Sequence, residues 1–442
     1  MARWSSALAV LVFGTHSCQA FVEPDTLAGI GASCRADTDC QASSCIGEVC
    51  ALECESQDDC PDGTLCTEVK LCQLPLKVAL VVPTSGSNQD WTTAHLVGAQ
   101  AAVAPLAFVA TQVFDGADTA EEAAGLVQQA VNEGFQVIFG ASSDFNGAMS
   151  AAADQNPGVQ FFTCGGGGGP SNHHGYYGRL YEAWYIAGKV AAAKTTTGRL
   201  GAIGSYVTPA VVRHINAFTR GARSVDETIV VEVRWMGEWI DPVPVGSPPE
   251  DVERMLASQL LATGCDVISY HGYKRSAAFE VAESGGAGDF VIGNNFELAC
   301  DDPKIENCIG TVYWNWAPLY RDLIVAVHGQ QVQPGASALA KIQIDPAESV
   351  PNFKVVDPNL QTLVDEQRTA LANAGGGGPV FTGQFCTNGE QRQPKCVDAG
   401  VTIEEDELRD MCWFVDGVKT SDGGDPPVDA EATVPAEGDC GG

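Results

Sequence analysis

Short apolar runs alternate with amphipathic stretches of helical spacing along most of this chain. The runs KVALVV, QVIF, LGAI, DVISY and IGTVY are examples. With their neighbours they predict strands at 77–82, 108–114, 136–139, 160–163, 200–203, 229–235, 266–270, 290–292 and 309–313. Helices are predicted at 119–132, at 182–194, from about residue 209 and at 249–262. Strands and helices alternating at this length imply right-handed crossovers and parallel sheets. One sheet before the helix at 182–194 and one after it give an α/β protein of two lobes. Ligands of such sheets bind beyond the carboxyl ends of the strands, so the loops after each strand hold the candidate chemistry.

The ends of the chain have a different texture. Residues 21–75 hold two quartets of cysteines, Cys34, Cys40, Cys45 and Cys50, then Cys54, Cys60, Cys66 and Cys72. The quartets repeat at about twenty residues, with Asp37 and Asp39, then Asp58 and Asp59, before each second cysteine. So short and apolar-poor a segment cannot bury a core, which points to a disulfide module. A metal site is the alternative, but the C-x₂-C spacing of zinc modules is absent. Residues 421–442, rich in Gly, Pro, Ala and acid, are expected to form a disordered tail.

Composition adds export. The chain has 442 residues and 17 cysteines; setting Cys18 aside leaves an even number for disulfide pairing. Residues 1–20 carry Arg3, an apolar run at 7–13 and then small polar residues, the pattern of a secretory signal too short to span a bilayer. Thr15-His16-Ser17-Cys18 suits lipidation at Cys18, whereas Cys18-Gln19-Ala20 suits ordinary cleavage and release. The net charge of -32 argues against nucleic acid or an anionic membrane surface as partner.

Several stretches resemble the basic membrane protein family of ABC-transporter substrate-binding lipoproteins. They are VALVVPTSGSNQDWTTAH, the run GRLYEAWYIAGKVAAAKTTTGRLGAIGSY that opens at Gly178, WMGEWIDP, VYWNWAP and the ending AGVTIEEDELRDMCWFVDGVK. The resemblance covers roughly residues 77–420. It implies a type I periplasmic-binding-protein fold, with two doubly wound parallel sheets joined by a hinge. Lobe 1 would take 76–182 and about 296–335, and lobe 2 would take 183–295 and about 336–420. It also implies capture of a purine base or nucleoside, an ABC permease as partner and a lipid anchor in the membrane, with no cofactor.

The loops supply the site residues. In the first loop the resemblance places an aromatic that stacks on the base, matched by Trp91, with Asp90 and His95 beside it. Ser142, Ser143, Asp144 and Phe145 follow the third strand, as ligand contacts or as caps of the next helix. Tyr177 matches the family's FGRAYE pattern, in which Arg179 and Glu182 are able to pair with each other. Trp239 and Asp241 lie in WMGEWIDP, where a family aromatic faces the cleft. His271 falls where relatives commonly carry His, and Asn294 and Asn295 where they usually carry Asp. Asn offers donor and acceptor, whereas Asp only accepts, which weakens the case for a riboside.

Trp314 and Trp316 are expected to pack near the hinge. The glycines at 165–169 either let backbone approach a ligand or are slack, and His173 and His174 are expected as loop residues rather than metal ligands. Cys300 with Cys308 and Cys386 with Cys396 look like loop staples, Cys412 is expected to reach Cys440, and Cys164 and Cys265 to be buried free thiols. No G-x-S-x-G, H-E-x-x-H or paired C-x-x-C occurs, and no nucleophile has a positioned partner, so an enzyme is not expected. Two further readings stay open: a surface receptor built on the same fold, and a flavin-binding protein.

Overall fold

The computed structural model describes residues 44–46, 49–60, 64–66, 70–84, 90–205, 207–237, 249–329, 332, 337–340, 352–373, 380–386, 396–404, 407–408 and 410–420. Cys18, Trp239, Asp241, Cys440 and the tail at 421–442 lie outside them. Two compact units divide at Pro75 and Leu76.

The first unit is the cysteine module. Strands Ser44–Ile46, Val49–Glu53, Leu71–Gln73 and Leu65–Cys66 form one antiparallel sheet in that order. Cys54 bonds Cys66 and Cys60 bonds Cys72, each across twelve residues. The repeat is visible in the register, because Cys45 opposes Cys50 as Cys66 opposes Cys72. The sulfurs of Cys54, Cys60 and Cys66 lie within 4.8 Å of one another, yet all three are held in disulfides and none is a thiolate ligand. Asp59 acts within its own turn. Its carboxylate accepts the backbone N–H groups of Glu55 and Ser56 at 2.9 and 2.8 Å, bonds that lower its pKa.

In the second unit the expected alternation is present. Its first half runs β1 (Leu76–Val82), α1 (Asp90–Val103), β2 (Val109–Asp115), α2 (Ala120–Asn132), β3 (Val137–Gly140), α3 (Asn146–Gln155), β4 (Gln160–Cys164) and β5 (His173–Gly178). The chain then crosses to α4 (Tyr181–Lys194), β6 (Arg199–Gly204), α5 (Pro209–Arg223), β7 (Val230–Trp235), α6 (Pro249–Ala262), β8 (Val267–Tyr270), α7 (Ser276–Ser284), β9 (Phe290–Gly293) and β10 (Cys308–Val312). It continues through α8 (Ala317–His328), β11 (Ser337–Ala340), β12 (Phe353–Val355), α9 (Gln361–Asn373) and β13 (Val418–Thr420).

One sheet has the order β11-β5-β4-β3-β1-β2 and is parallel throughout. The other has the order β12-β10-β9-β8-β6-β7-β13, parallel except for β12 on β10. Helices cover both faces of each sheet, so central strands such as VIFG and VISY are buried along their whole length. One apolar cluster runs through both lobes by way of Trp91, Trp184, Trp314 and Trp316. Two others lie under α2 and α3 and under α6 and α7.

The lobe boundaries differ from the expected ones. Cys308–Val312 belongs to the second sheet, because its fully buried CIGTV run pairs parallel with β9. The crossing therefore falls after Val312, not near residue 296. Helix α8 packs on α1 in lobe 1 as expected, and β11 joins β5 there. His173 and His174 sit on strand β5 rather than in a loop. The first accepts from or donates to Thr163 Oγ1 at 2.8 Å and bonds the Gly168 carbonyl at 2.9 Å; the second bonds Gln160 at 2.9 Å. Arg179 precedes α4, so it shares no helix face with Glu182.

Local chemistry sets the helix ends. Thr119 and Glu122 form a reciprocal capping box at α2, and Thr208 caps α5 with Pro209 in its first turn. Disulfides Cys300–Cys308 and Cys386–Cys396 are present, Cys412 is disulfide-bonded, and Cys164 and Cys265 are buried free thiols.

Helices α4 and α5 touch through glycine. A Cβ at Gly188 would lie 1.9 Å from the Phe218 carbonyl oxygen, and one at Gly221 would lie 2.0 Å from that of Tyr185. Gly188→Ala is therefore expected to lower stability by roughly 1–3 kcal/mol, the usual cost of overpacking. Urea unfolding measures it, and an unchanged midpoint would show that the two helices have room to spare.

Candidate functional site

The carboxyl ends of both sheets face one cavity of about 500 Å³ between the lobes. Lobe 1 contributes Trp91 after β1, Ser143 and Asn146 after β3, Cys164 to Gly167 after β4, and Tyr176 and Tyr177 at the end of β5. Lobe 2 contributes Thr208 to Val211 and then Arg213 and His214 on α5, His271 and Tyr273 after β8, and Asn294 and Asn295 after β9. Trp314 enters from the crossing after β10. Of the residues expected from sequence, Trp91, Ser143, Tyr177, His271, Asn294 and Asn295 come together here.

The others have different work. Asp90 is buried at the start of α1 and forms a bidentate ion pair with Arg275 of lobe 2; the Arg275 Nε donates at 3.1 Å and its Nη2 donates to the other carboxylate oxygen. Burial pushes the Asp90 carboxyl up to about 7 although the guanidinium beside it pulls the other way. His95 lies beneath the site, stacked on Trp316 at 4.3 Å and bonded to the Tyr320 hydroxyl. Phe145 is core under α2 and α3. Ser142 caps the short turn after β3, accepting the Asp144 N–H at 3.3 Å. The Asp144 side chain is exposed outside the cavity lining.

Trp91 lines the cavity, but not with a free face. Its ring lies parallel to Tyr273, 5.2 Å between centroids and 10° between planes, and its indole N–H donates to the Ala141 carbonyl at 2.7 Å. Trp314, expected only as packing, serves as packing and as wall. It stacks on Trp316 at 4.7 Å and meets Tyr177 edge-on at 5.1 Å. Asn295 is committed to holding it there. Its Oδ1 accepts the Trp314 indole N–H at 3.1 Å and its Nδ2 donates to the Gly272 carbonyl at 2.8 Å. Asn295 has φ 67°, a left-handed conformation that Asn tolerates. Asn294, by contrast, has a side-chain amide with no hydrogen-bond partner among the described residues.

The glycine run is not slack. Gly167 has φ 111°, and a Cβ there would lie 2.2 Å from the Gly175 nitrogen. Its N–H donates to Asn146 Oδ1 at 2.7 Å. The run folds against β5 and presents backbone to the cavity.

His271 and His214 lie with rings nearly parallel at 5.8 Å, and Trp184 stacks near both, 4.4 Å from His271 and 6.2 Å from His214. His271 Nδ1 faces the Ile203 carbonyl at 3.2 Å. A carbonyl only accepts, so in the neutral ring the proton sits on Nδ1 and Nε2 is an acceptor. Nε2 has no partner in either histidine. His214, on the inner face of α5, escaped the sequence reading. The signal available was a run of polar residues, Arg213, His214, Asn216 and Thr219, on a helix that starts beyond the end of a buried strand. No Asp or Glu lines the cavity among the described residues. Burial pushes the Cys164 thiol well above its usual pKa, so it is no thiolate nucleophile.

Two parallel sheets whose carboxyl edges share one interlobe cavity define a two-lobed solute-binding protein. The comparisons agree. A model of ABC transporter substrate-binding proteins, PnrA-like, matches residues 76–369. A purine-binding protein of Brucella abortus is 28% identical over 349 residues, 78% of this chain and 93% of that one. A protein of Haloferax volcanii named as an ABC transporter glucose-binding protein is 28% identical over 238 residues, 54% of this chain and 57% of its own length. Among solved structures, an ABC transporter solute-binding protein from Conexibacter woesei aligns with TM-score 0.52 at 18% identity, over 69% of this chain and 99% of that one. A Bacillus halodurans protein described as a transcriptional activator of the comK gene aligns with TM-score 0.53 at 22% identity, over 67% and 96%. The chain belongs to the basic membrane protein, PnrA-like, family of ABC-transporter substrate-binding proteins, which are extracytoplasmic binders and not enzymes.

The buried histidines make stability depend on pH. Burial holds His271 down at about 4, against an ordinary 6.5. Unfolded chain takes up this proton below pH 6.5 and folded chain does not, so the contribution is complete above 6.5 and is lost as pH falls towards 4. At about 1.4 kcal/mol per pH unit, His271 accounts for roughly 3 kcal/mol. His214 and His95 act in the same direction, while Asp90, with its raised pKa, opposes them. Thermal unfolding between pH 7 and 4 is expected to show a shallower decline in His271→Gln than in the parent. Parallel curves would count against a neutral buried imidazole.

Proposed function

We propose that the protein captures an uncharged flat heterocycle, a purine base or nucleoside, and delivers it to an ABC permease from a lipid anchor at Cys18. The observation that carries the ligand class is the makeup of the cavity. Trp314, Tyr177 and the Trp91–Tyr273 pair give it aromatic walls, the unpaired amide of Asn294 and the neutral ring of His271 offer hydrogen bonds without charge, and Arg213, the cation in the lining, donates to the Leu408 carbonyl. Planar ligands take stacking energy from such walls, roughly 1–3 kcal/mol per aromatic, and Asn reads donor and acceptor edges of a base together. The Brucella relative is named for purine binding, which supports the same class. Because the position of Asn294 lacks a carboxylate, the ribose hydroxyls lose a charge-assisted acceptor, so the free base is the preferred ligand.

Calorimetry with adenine, guanine, their ribosides and glucose tests this. The bases are expected to bind more tightly than the ribosides, and Asn294→Asp to move the ratio towards the ribosides. Tyr177→Ala should weaken base binding by about 1–3 kcal/mol. Heat from glucose and none from any purine would replace the reading with a sugar-binding one, as the name of the Haloferax relative would suggest.

A further inference from the structure

A short segment of lobe 2 reaches across to lobe 1. After β8 the chain runs Gly272, Tyr273, Lys274, Arg275 into α7. On its own side this segment is fixed. A Cβ at Gly272 would lie 2.5 Å from Glu253 Oε2, and the other oxygen of Glu253 accepts the Ala277 N–H at 3.0 Å. Arg275 Nη1 donates to the Ala299 carbonyl at 3.3 Å. From this base four contacts cross the cleft. Arg275 grips the Asp90 carboxylate bidentately, with side chains 12% and 1% exposed. The Tyr273 ring covers Trp91, and its hydroxyl lies 3.4 Å from Ser142 Oγ. The Trp91 N–H donates to the Tyr273 carbonyl at 3.3 Å.

We infer that segment 273–275 is a clasp that holds the two lobes closed over the cavity independently of any ligand. Several physical points carry it. The cavity of about 500 Å³ coexists with the closed clasp, so the contacts between lobes are made by the protein itself and do not consume the space for a ligand. Removing either partner of this buried, hydrogen-bonded ion pair leaves the other charge buried and unpaired in the closed form, which destabilises closure strongly. The paired residues lie on helix starts, Asp90 opening α1 and Arg275 preceding α7, so each is held by a rigid element. Tyr273 covers a ring face that sequence alone offers to a ligand. Exchange of ligand then requires the clasp to open, which makes it a gate on the rate of binding and release. The inference stands whichever ligand the cavity takes.

The test uses the full-length protein, dialysed until native mass spectrometry detects no bound small molecule. Small-angle scattering and hydrogen exchange at the Trp91 amide, whose acceptor lies across the cleft, are read for the parent, Arg275→Gln, Asp90→Asn and the charge swap Asp90→Arg with Arg275→Asp. The ligand-free parent is expected to be compact with a protected Trp91 amide. Either single variant should expand, with exchange at Trp91 faster by roughly a hundredfold or more, as removal of one partner of a buried pair implies. The swap should recover part of the compactness. Circular dichroism checks that each variant folds, and Tyr273→Ala serves as the alternative if Arg275→Gln does not. A ligand-free parent as expanded as its variants, or folded variants as compact and protected as the parent, would overturn the clasp.

Discussion

The site depends on a column of aromatic rings at the crossing between lobes. Trp314 stacks on Trp316, His95 stacks on Trp316 from α1, and Trp91 stands edge-on to all three. The column forms only because α1 comes close: a Cβ at Gly98 would lie 2.6 Å from the Trp316 Cβ. Large buried rings contribute much apolar area and prefer stacked or edge-on geometry. Here that preference fixes the first helix of lobe 1 against the strand-to-helix crossing that leaves lobe 2. The wall of the cavity is thus also its hinge packing, and a ligand on Trp314 would sense the orientation of both lobes.

Charge is distributed in the opposite sense to the composition. The chain carries a net charge of -32, yet among the described residues no acid lines the cavity, where Arg213 brings a positive charge and histidine, asparagine, tyrosine and backbone provide the rest of the polarity. A carboxylate inside would be desolvated and would need a cation or strong donors from its ligand. Neutral imidazoles carry no such requirement, and burial keeps them neutral. An unpartnered buried nitrogen is nonetheless costly, so the orphan Nε2 of His271, an acceptor, marks where a donor from a ligand would be most strongly felt, and the orphan Nε2 of His214 lies beside it. Surface acidity therefore says nothing about the ligand's charge.

The alternation of strands and helices was legible because buried parallel strands need unbroken apolar runs, and most of those runs became strands within a residue or two. Strand β5 was not, since HHGYYG carries none of the β-branched residues that mark strands; its pairing with β4 and the hydrogen bonds of its two histidines hold it. Trp91, His271 and Asn294 were legible through family wording and their place after strands. Asp90 was legible as important but not as to role, because its partner Arg275 lies 185 residues away. Tyr273 had no local signal at all. Both adjacent asparagines line the cavity, and that Asn295, in a left-handed turn, is the one committed to Trp314 is a feature that no spacing encodes.

Closure by the protein's own contacts changes how binding energy should be understood. A ligand shifts an equilibrium between open and closed forms only by the difference in its affinity for the two. If ion pair and ring stack already favour the closed form, little of that difference is needed for closure, and affinity approaches the intrinsic value of the cavity. Rates behave differently. Entry and exit must break the Asp90–Arg275 pair, so both slow together while their ratio is preserved. Selectivity then lies in the walls and the polar groups of the cavity, and residence time lies in the clasp. Tyr177, His271 and Asn294 bear on the first and Asp90 and Arg275 on the second, while the Trp91–Tyr273 pair is both wall and clasp. A change at Asn294 or at Asp90 need not disturb the other property, whereas a change at Tyr273 touches both.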